Sequence, residues 1–101
     1  LILDNKLAYI PNWIIELSSL YILDISYNKL LSIPDMSNMS ELYEVDIQEN
    51  NIEHFPWNLM EKPNLKLLII KGNPFILDKD EKSDLKNRLT EKRAIGVVVV
   101  D

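Results

Sequence analysis

The chain has no cysteine among its 101 residues, so a disulfide framework, a thiolate zinc site and a cysteine nucleophile are all closed to it. Two glycines and five prolines are too few for flexible linkers or low-complexity stretches. No apolar run approaches the ~18 residues that cross a bilayer, and no basic-then-apolar leader opens the sequence. Positive charge is also scarce. Eleven Lys and Arg stand against sixteen Asp and Glu, and the formal net charge of −5 repels phosphate backbones and anionic lipid surfaces. Nucleic-acid binding and membrane insertion are therefore not expected, whereas a protein partner with a basic or neutral surface is. The first residue is Leu1 rather than methionine, which leaves the compartment open.

What is present is enough apolar material for a single core, 47% of residues, and an internal period. Asn5, Asn28, Asn50 and Asn73 are spaced by 23, 22 and 23 residues. Other positions move with them. Three residues before each asparagine stand Ile2, Ile25, Ile47 and Ile70, and two after it stand Leu7, Leu30, Ile52 and Phe75. Leu23, Val45 and Leu68 come five before, and Leu20, Leu42 and Leu65 eight before. The pairs Ile10-Pro11, Ile33-Pro34 and Phe55-Pro56 follow the first three asparagines. A segment of this length cannot bury its own apolar residues, so successive repeats must stack and share one core.

In Leu23-x-Ile25 the alternation sends both side chains to one face, as a strand half-buried in a parallel sheet requires. An asparagine buried where each repeat turns has two donors and an acceptor for backbone groups that the turn leaves unpaired. A proline with no N–H suits the irregular outer side. There, Pro11-x-x-Ile14-x-x-Leu17 predicts a helical or 3₁₀ turn facing inward at Ile14 and Leu17. Met36 and Met39 are fit to fill an irregular gap. Trp13 and Trp57 are expected to pack on the same side, with a binding role for either indole as the alternative.

The pattern Leu20-x-x-Leu23-x-Ile25-x-x-Asn28-x-Leu30-x-x-Ile33-Pro34 resembles the leucine-rich repeat in its short form of about 23 residues. The resemblance implies an α/β solenoid: a curved parallel sheet on the concave side and short irregular or 3₁₀ segments outside. About four repeats, the first truncated, cover residues 1–75. Residues 76–101 resemble the terminal cap of such arrays, with a helix over about 79–92 and a strand over about 95–100. Asp78-Lys79-Asp80-Glu81 is a capping-box start, Leu85 and Leu89 share one helical face, and Asp84 and Arg88 are set for an i,i+4 pair. The valine run Val97, Val98, Val99 and Val100 is strand-like and belongs beside Leu68–Ile70 at the sheet's end. Leu1 enters when its strand is half over, so a neighbouring chain or further sequence is expected to cover that end.

For function, the resemblance points to the concave face, formed by residues between the buried strand positions. The first repeat places Leu1, Leu3 and Asp4 there, and the second Ile22, Asp24, Ser26, Tyr27 and Lys29. The third adds Glu44, Asp46, Gln48, Glu49 and Asn51, and the fourth Leu67, Ile69, Lys71 and Gly72. Asp24, Glu44, Asp46 and Glu49 are fit to steer a basic partner, with Tyr27 as its anchor; a merely solvated acidic face is the alternative. Asp24 and Asp46 on adjacent strands about 4.8 Å apart could share a cation, yet no calcium-loop spacing accompanies them and no metal is expected. His54, the one histidine, lies on the way to the outer side, away from those acids. No deep cleft between repeats is expected, and no phosphate loop, nucleophile constellation or zinc spacing is present. The sequon Asn38-Met39-Ser40 has meaning only in a eukaryotic secretory route. The expectation is a non-catalytic protein-interaction module without cofactor. A self-assembling structural protein that oligomerises through its sheet ends, with Val97–Val100 at the contact, is the alternative.

Overall fold

The computed structural model describes residues 1–3 and 6–101; Asp4 and Asn5 lie outside the described residues. In chain order come a one-turn helix α1 (Asn12–Ile15), strands β1 (Ile22–Asp24) and β2 (Glu44–Asp46), and a one-turn helix α2 (Trp57–Met60). Strand β3 (Leu67–Ile69), helix α3 (Lys79–Ala94) and strand β4 (Val98–Val100) follow. The strands form one sheet in the order β1-β2-β3-β4, every neighbouring pair parallel. A parallel bridge from Ile2 to Asp24 carries the ladder into the first repeat. Each crossover runs through the outer segment of a repeat, because parallel neighbours cannot be joined by a tight turn.

The alternation in the sequence sets which side of each strand is buried. Leu23, Val45, Leu68 and Val99 lie opposite one another in register and all point into the core, at 5% exposure or less. Ile25, Ile47 and Ile70 continue it, and Leu30, Ile52, Leu42 and Leu65 close it from the turn and outer sides.

The asparagines bind one repeat to the next. Asn28 Oδ1 accepts from the Leu7 N–H (3.0 Å), Asn50 Oδ1 from Leu30 (3.0 Å) and Asn73 Oδ1 from Ile52 (3.2 Å). Each amide in turn donates to the isoleucine carbonyl three residues before it, at 3.0 to 3.1 Å. Asn50 and Asn73 also reach the equivalent carbonyl of the preceding repeat. A buried amide can replace backbone partners in this way because it carries two donors and an acceptor on one short side chain.

At the far end, Asp78 accepts from the Glu81 N–H (2.8 Å) while Glu81 Oε1 accepts from the Asp78 N–H (3.2 Å), so both halves of the capping box are made. The helix runs to Ala94, two residues beyond expectation, and the strand starts at Val98 rather than near residue 95. The cause is the stop signal. Gly96 takes φ +87, its N–H donates to Arg93 and the Val97 N–H donates to Lys92. This helix terminus uses a left-handed glycine and consumes residues 95–97 before the strand can begin.

The outer side departs from expectation in two places. Ile14 is fully buried but Leu17 is 38% exposed, since α1 ends at Ile15 and Leu17 falls past it. Trp57 is half-buried and packs on Phe55 with ring centroids 4.6 Å apart. Trp13, however, is 54% exposed and is not part of the packing.

Candidate functional site

The solvent face of the sheet is built from the residues flanking the buried column. Register aligns Ile22, Glu44, Leu67 and Val98 in one row, and Asp24, Asp46, Ile69 and Val100 in the next. An acidic middle therefore borders an apolar end. Asp24, Glu44, Asp46, Leu67 and Ile69 are half-buried, while Ile22 is exposed. The two aspartates are not free arms. Asp24 Oδ1 accepts from the Ser26 N–H (3.0 Å) and hydroxyl (2.6 Å), and Asp46 takes the Gln48 N–H (3.1 Å) and side-chain amide (2.8 Å). Polar residues two positions on thus fix both carboxylates at the strand ends. Among the described residues, no group of three or more His, Asp or Glu converges as metal ligands would.

Tyr27 and Glu49 begin the turn after their strands, both with φ +56, and Gly72 holds the same place in the fourth repeat with φ +73. The position calls for a left-handed residue, which costs tyrosine and glutamate about 1 kcal/mol each. Tyr27 is nonetheless 61% exposed. At Gly72 a β-carbon would also run into the Glu49 carboxylate. Glutamine 48 is held by Asp46, and Glu49 is exposed.

One feature at the start of these strands was not singled out from sequence. Tyr21 and Tyr43 stack one repeat apart, with ring centroids 5.4 Å apart and planes 10° from parallel. They stand just before β1 and β2, next to Ile22 and Glu44. Their spacing of 22 residues equals the local period, and that coincidence was the signal available.

Of the four valines, only Val98 and Val100 share the face of Leu67 and Ile69. Val97 and Val99 are 6% and 5% exposed and are core residues, so their side chains are not offered to a second chain. The outer edge of β4 is also partly occupied. Arg93 Nη2 donates to the Val99 carbonyl (2.9 Å) and to Asp101 (3.0 Å), which covers one of the groups that an edge strand would otherwise leave open.

On the opposite side, a groove of about 690 Å³ opens between the outer segments of the second and third repeats. No such opening was expected there. It forms because Pro34, Phe55, Pro56, Trp57 and Pro63 wall it with rigid side chains, and exposed His54 lies on its lining. Arg88 from α3 bonds Glu61 (2.7 Å) and Asp84 (3.0 Å) and lies over the Trp57 ring at 5.2 Å. Helix α3 is thereby tied to the groove's wall.

No family model matches the chain, and no curated protein matches it significantly. Among solved structures, it is similar to a leucine-rich-repeat protein of Leptospira interrogans, with a TM-score of 0.72 and 23% sequence identity. The match covers 95% of this chain and 23% of that one, so the chain spans about a quarter of its neighbour's length. The likeness is one of fold: a parallel sheet with helices in the arrangement of a leucine-rich-repeat protein.

Proposed function

We propose that the chain is a non-catalytic protein-interaction module that holds its partner on the solvent face of the parallel sheet, the face that the repeat geometry makes concave. The observation that carries this is the composition of that face. In-register carboxylates at Asp24 and Asp46 share the solvent face with exposed Ile22, and exposed Tyr27 follows β1. Fixed negative charge steers a basic partner and aromatic rings supply contact area at little entropic cost. Glu44, Gln48, Glu49, Leu67 and Ile69 complete the surface. The likeness to a leucine-rich-repeat fold supports the same reading.

Affinity capture from the native source, followed by association kinetics on the recovered partner, tests it. Changing Asp24 and Asp46 together to Lys should slow association sharply and remove its salt dependence, with the circular-dichroism spectrum unchanged. Equal on-rates for both proteins at low salt would show that the acids are only solvated.

Self-association through the sheet ends is a second reading, favoured by Val98 at 54% exposure and Ile2 at 80%. Arg93 on the β4 edge weighs against pairing there. Molar mass by light scattering over a range of concentrations separates the two, because the interaction module needs no second copy.

A further inference from the structure

The solvent face of the sheet is divided in two. Its first half carries Asp24 on β1 and Glu44 and Asp46 on β2, with Ile22 as the one apolar member. Its second half is wholly apolar, with Leu67 and Ile69 on β3 and Val98 and Val100 on β4. The parallel register sets these residues out as two straight rows across the four strands. Asp24 is held by Ser26 and Asp46 by Gln48, so the negative charges have fixed places. Positive charge borders the other half: exposed Lys66 stands just before β3 and exposed Lys71 two residues after it. Val98, at the end of its row, is an uncovered apolar group.

The spacing of the rows selects what can lie on them. Adjacent strands are about 4.8 Å apart, so the three steps from β1 to β4 cover about 14 Å, and the two rows, two residues apart along each strand, are separated by about 6.6 Å. Three turns of an α-helix cover about 16 Å. One line of helix side chains, at i, i+4, i+7 and i+11, therefore meets the four strands in turn and lies in the furrow between the rows. An extended peptide repeats on one side only every 6.6 Å or so, about 20 Å in three steps, and falls out of step by a whole strand. Charge then sets the order along the helix. Cations belong over Asp24, Glu44 and Asp46, and apolar groups over β3 and β4, where a cation would meet Lys66 and Lys71.

We propose that the sheet face takes an amphipathic α-helix of a partner protein, laid across the strands with its basic turns over β1 and β2 and its apolar turns over β3 and β4. The inference rests on the reading of this face as the interaction surface and adds the form of the partner and the order of its side chains. The basic turns bring the helix in and set its direction, and the apolar turns bury Leu67, Ile69 and Val98. Ile22, alone among the acids, packs against the methylene stem of the first lysine or arginine.

The probes are two fluorescent, alanine-based helical peptides of identical composition, titrated against the intact chain by anisotropy at low salt. One carries Lys, Lys, Leu and Leu at i, i+4, i+7 and i+11, and the other Lys, Leu, Lys and Leu. The segregated peptide should bind about tenfold more tightly, since interleaving brings a cation to Lys66 and Lys71 and an apolar group to an acidic strand. A third peptide, with Glu for both lysines, should bind wild type poorly and the Asp24→Lys, Asp46→Lys double variant well; that exchange of preference also shows the variant to be folded. Equal affinity of the segregated and interleaved peptides for wild type, or no binding of either up to millimolar concentration, overturns the helix. So does a segregated peptide that binds the double variant and Val98→Lys as tightly as wild type, because it then sits elsewhere. The broader reading is judged by the captured partner: if its association depends on Asp24 and Asp46 while the two peptides do not differ, the face stands as the interaction surface and the helix falls.

Discussion

Replacing Asn50 with Leu isolates what one buried amide does for the stacked repeats. Asn50 is 5% exposed and makes four hydrogen bonds. Its Oδ1 accepts from Leu30, and its Nδ2 donates to the carbonyls of Ile25, Ile47 and Gln48. Leucine has nearly the same shape, so packing changes little and the loss is polar. The carbonyls are insured. Ile25 O also receives the Asn28 amide, Ile47 O the Asn73 amide, and Gln48 O the Tyr27 N–H. Among the described residues the Leu30 N–H has no second acceptor, and it would be stranded in the core. One unsatisfied buried donor costs about 1–3 kcal/mol, and each thinned carbonyl adds a fraction of the ~1 kcal/mol that a hydrogen bond contributes. A loss of about 2–4 kcal/mol follows, which moves a urea midpoint by about 1 M or more at the m-values of small domains. Asn12→Ala, at an exposed residue, is the control and should shift it by less than about 0.5 kcal/mol. Equal midpoints for the two variants, with unchanged m, would refute the account of the asparagine column as interlocking repeats.

Four further outcomes rest on the same geometry. Gly72→Ala should cost about 1–2 kcal/mol in urea unfolding, because φ is +73 and its β-carbon meets the Glu49 carboxylate. Glu49→Gly, at φ +56, should instead gain up to about 1 kcal/mol. Val99→Lys should cost several kcal/mol by burying an unpaired ammonium, about 3 or more, whereas Val98→Lys on the solvent face should melt within a few degrees of wild type; similar melting curves would mean the β4 register is wrong. Lys62 binds its proton less readily folded than unfolded. The unfolded chain therefore takes up the extra proton between the lowered value and the ordinary lysine range, and stability should rise with pH across that window. Lys62→Met should abolish this slope and be the more stable protein at neutral pH, as measured by urea midpoints from neutral to alkaline pH.

How much of this was legible beforehand follows from what kind of information each feature needs. The buried column Leu23, Val45, Leu68 and the outward positions Asp24, Asp46 and Ile69 depend only on period-two alternation within a strand, and the stacking of repeats depends only on a period of 22 or 23. Both are properties of position along the chain, so the sequence alone determined the parallel sheet, the place of Val98–Val100 beside β3, and the start of α3 at its capping box. Features between repeats were decided by tertiary structure. Whether Leu17 or Trp13 packs depends on where a one-turn helix ends, and whether Tyr21 meets Tyr43 depends on the distance between two chain segments 22 residues apart. The same holds for Val99, whose carbonyl is covered only because the Schellman turn at Gly96 brings Arg93 alongside. Lys62 makes the point most sharply. Its column says apolar and its side chain says solvent, and only the packing of Met36 above it and the groove beside it decide that the amine is buried.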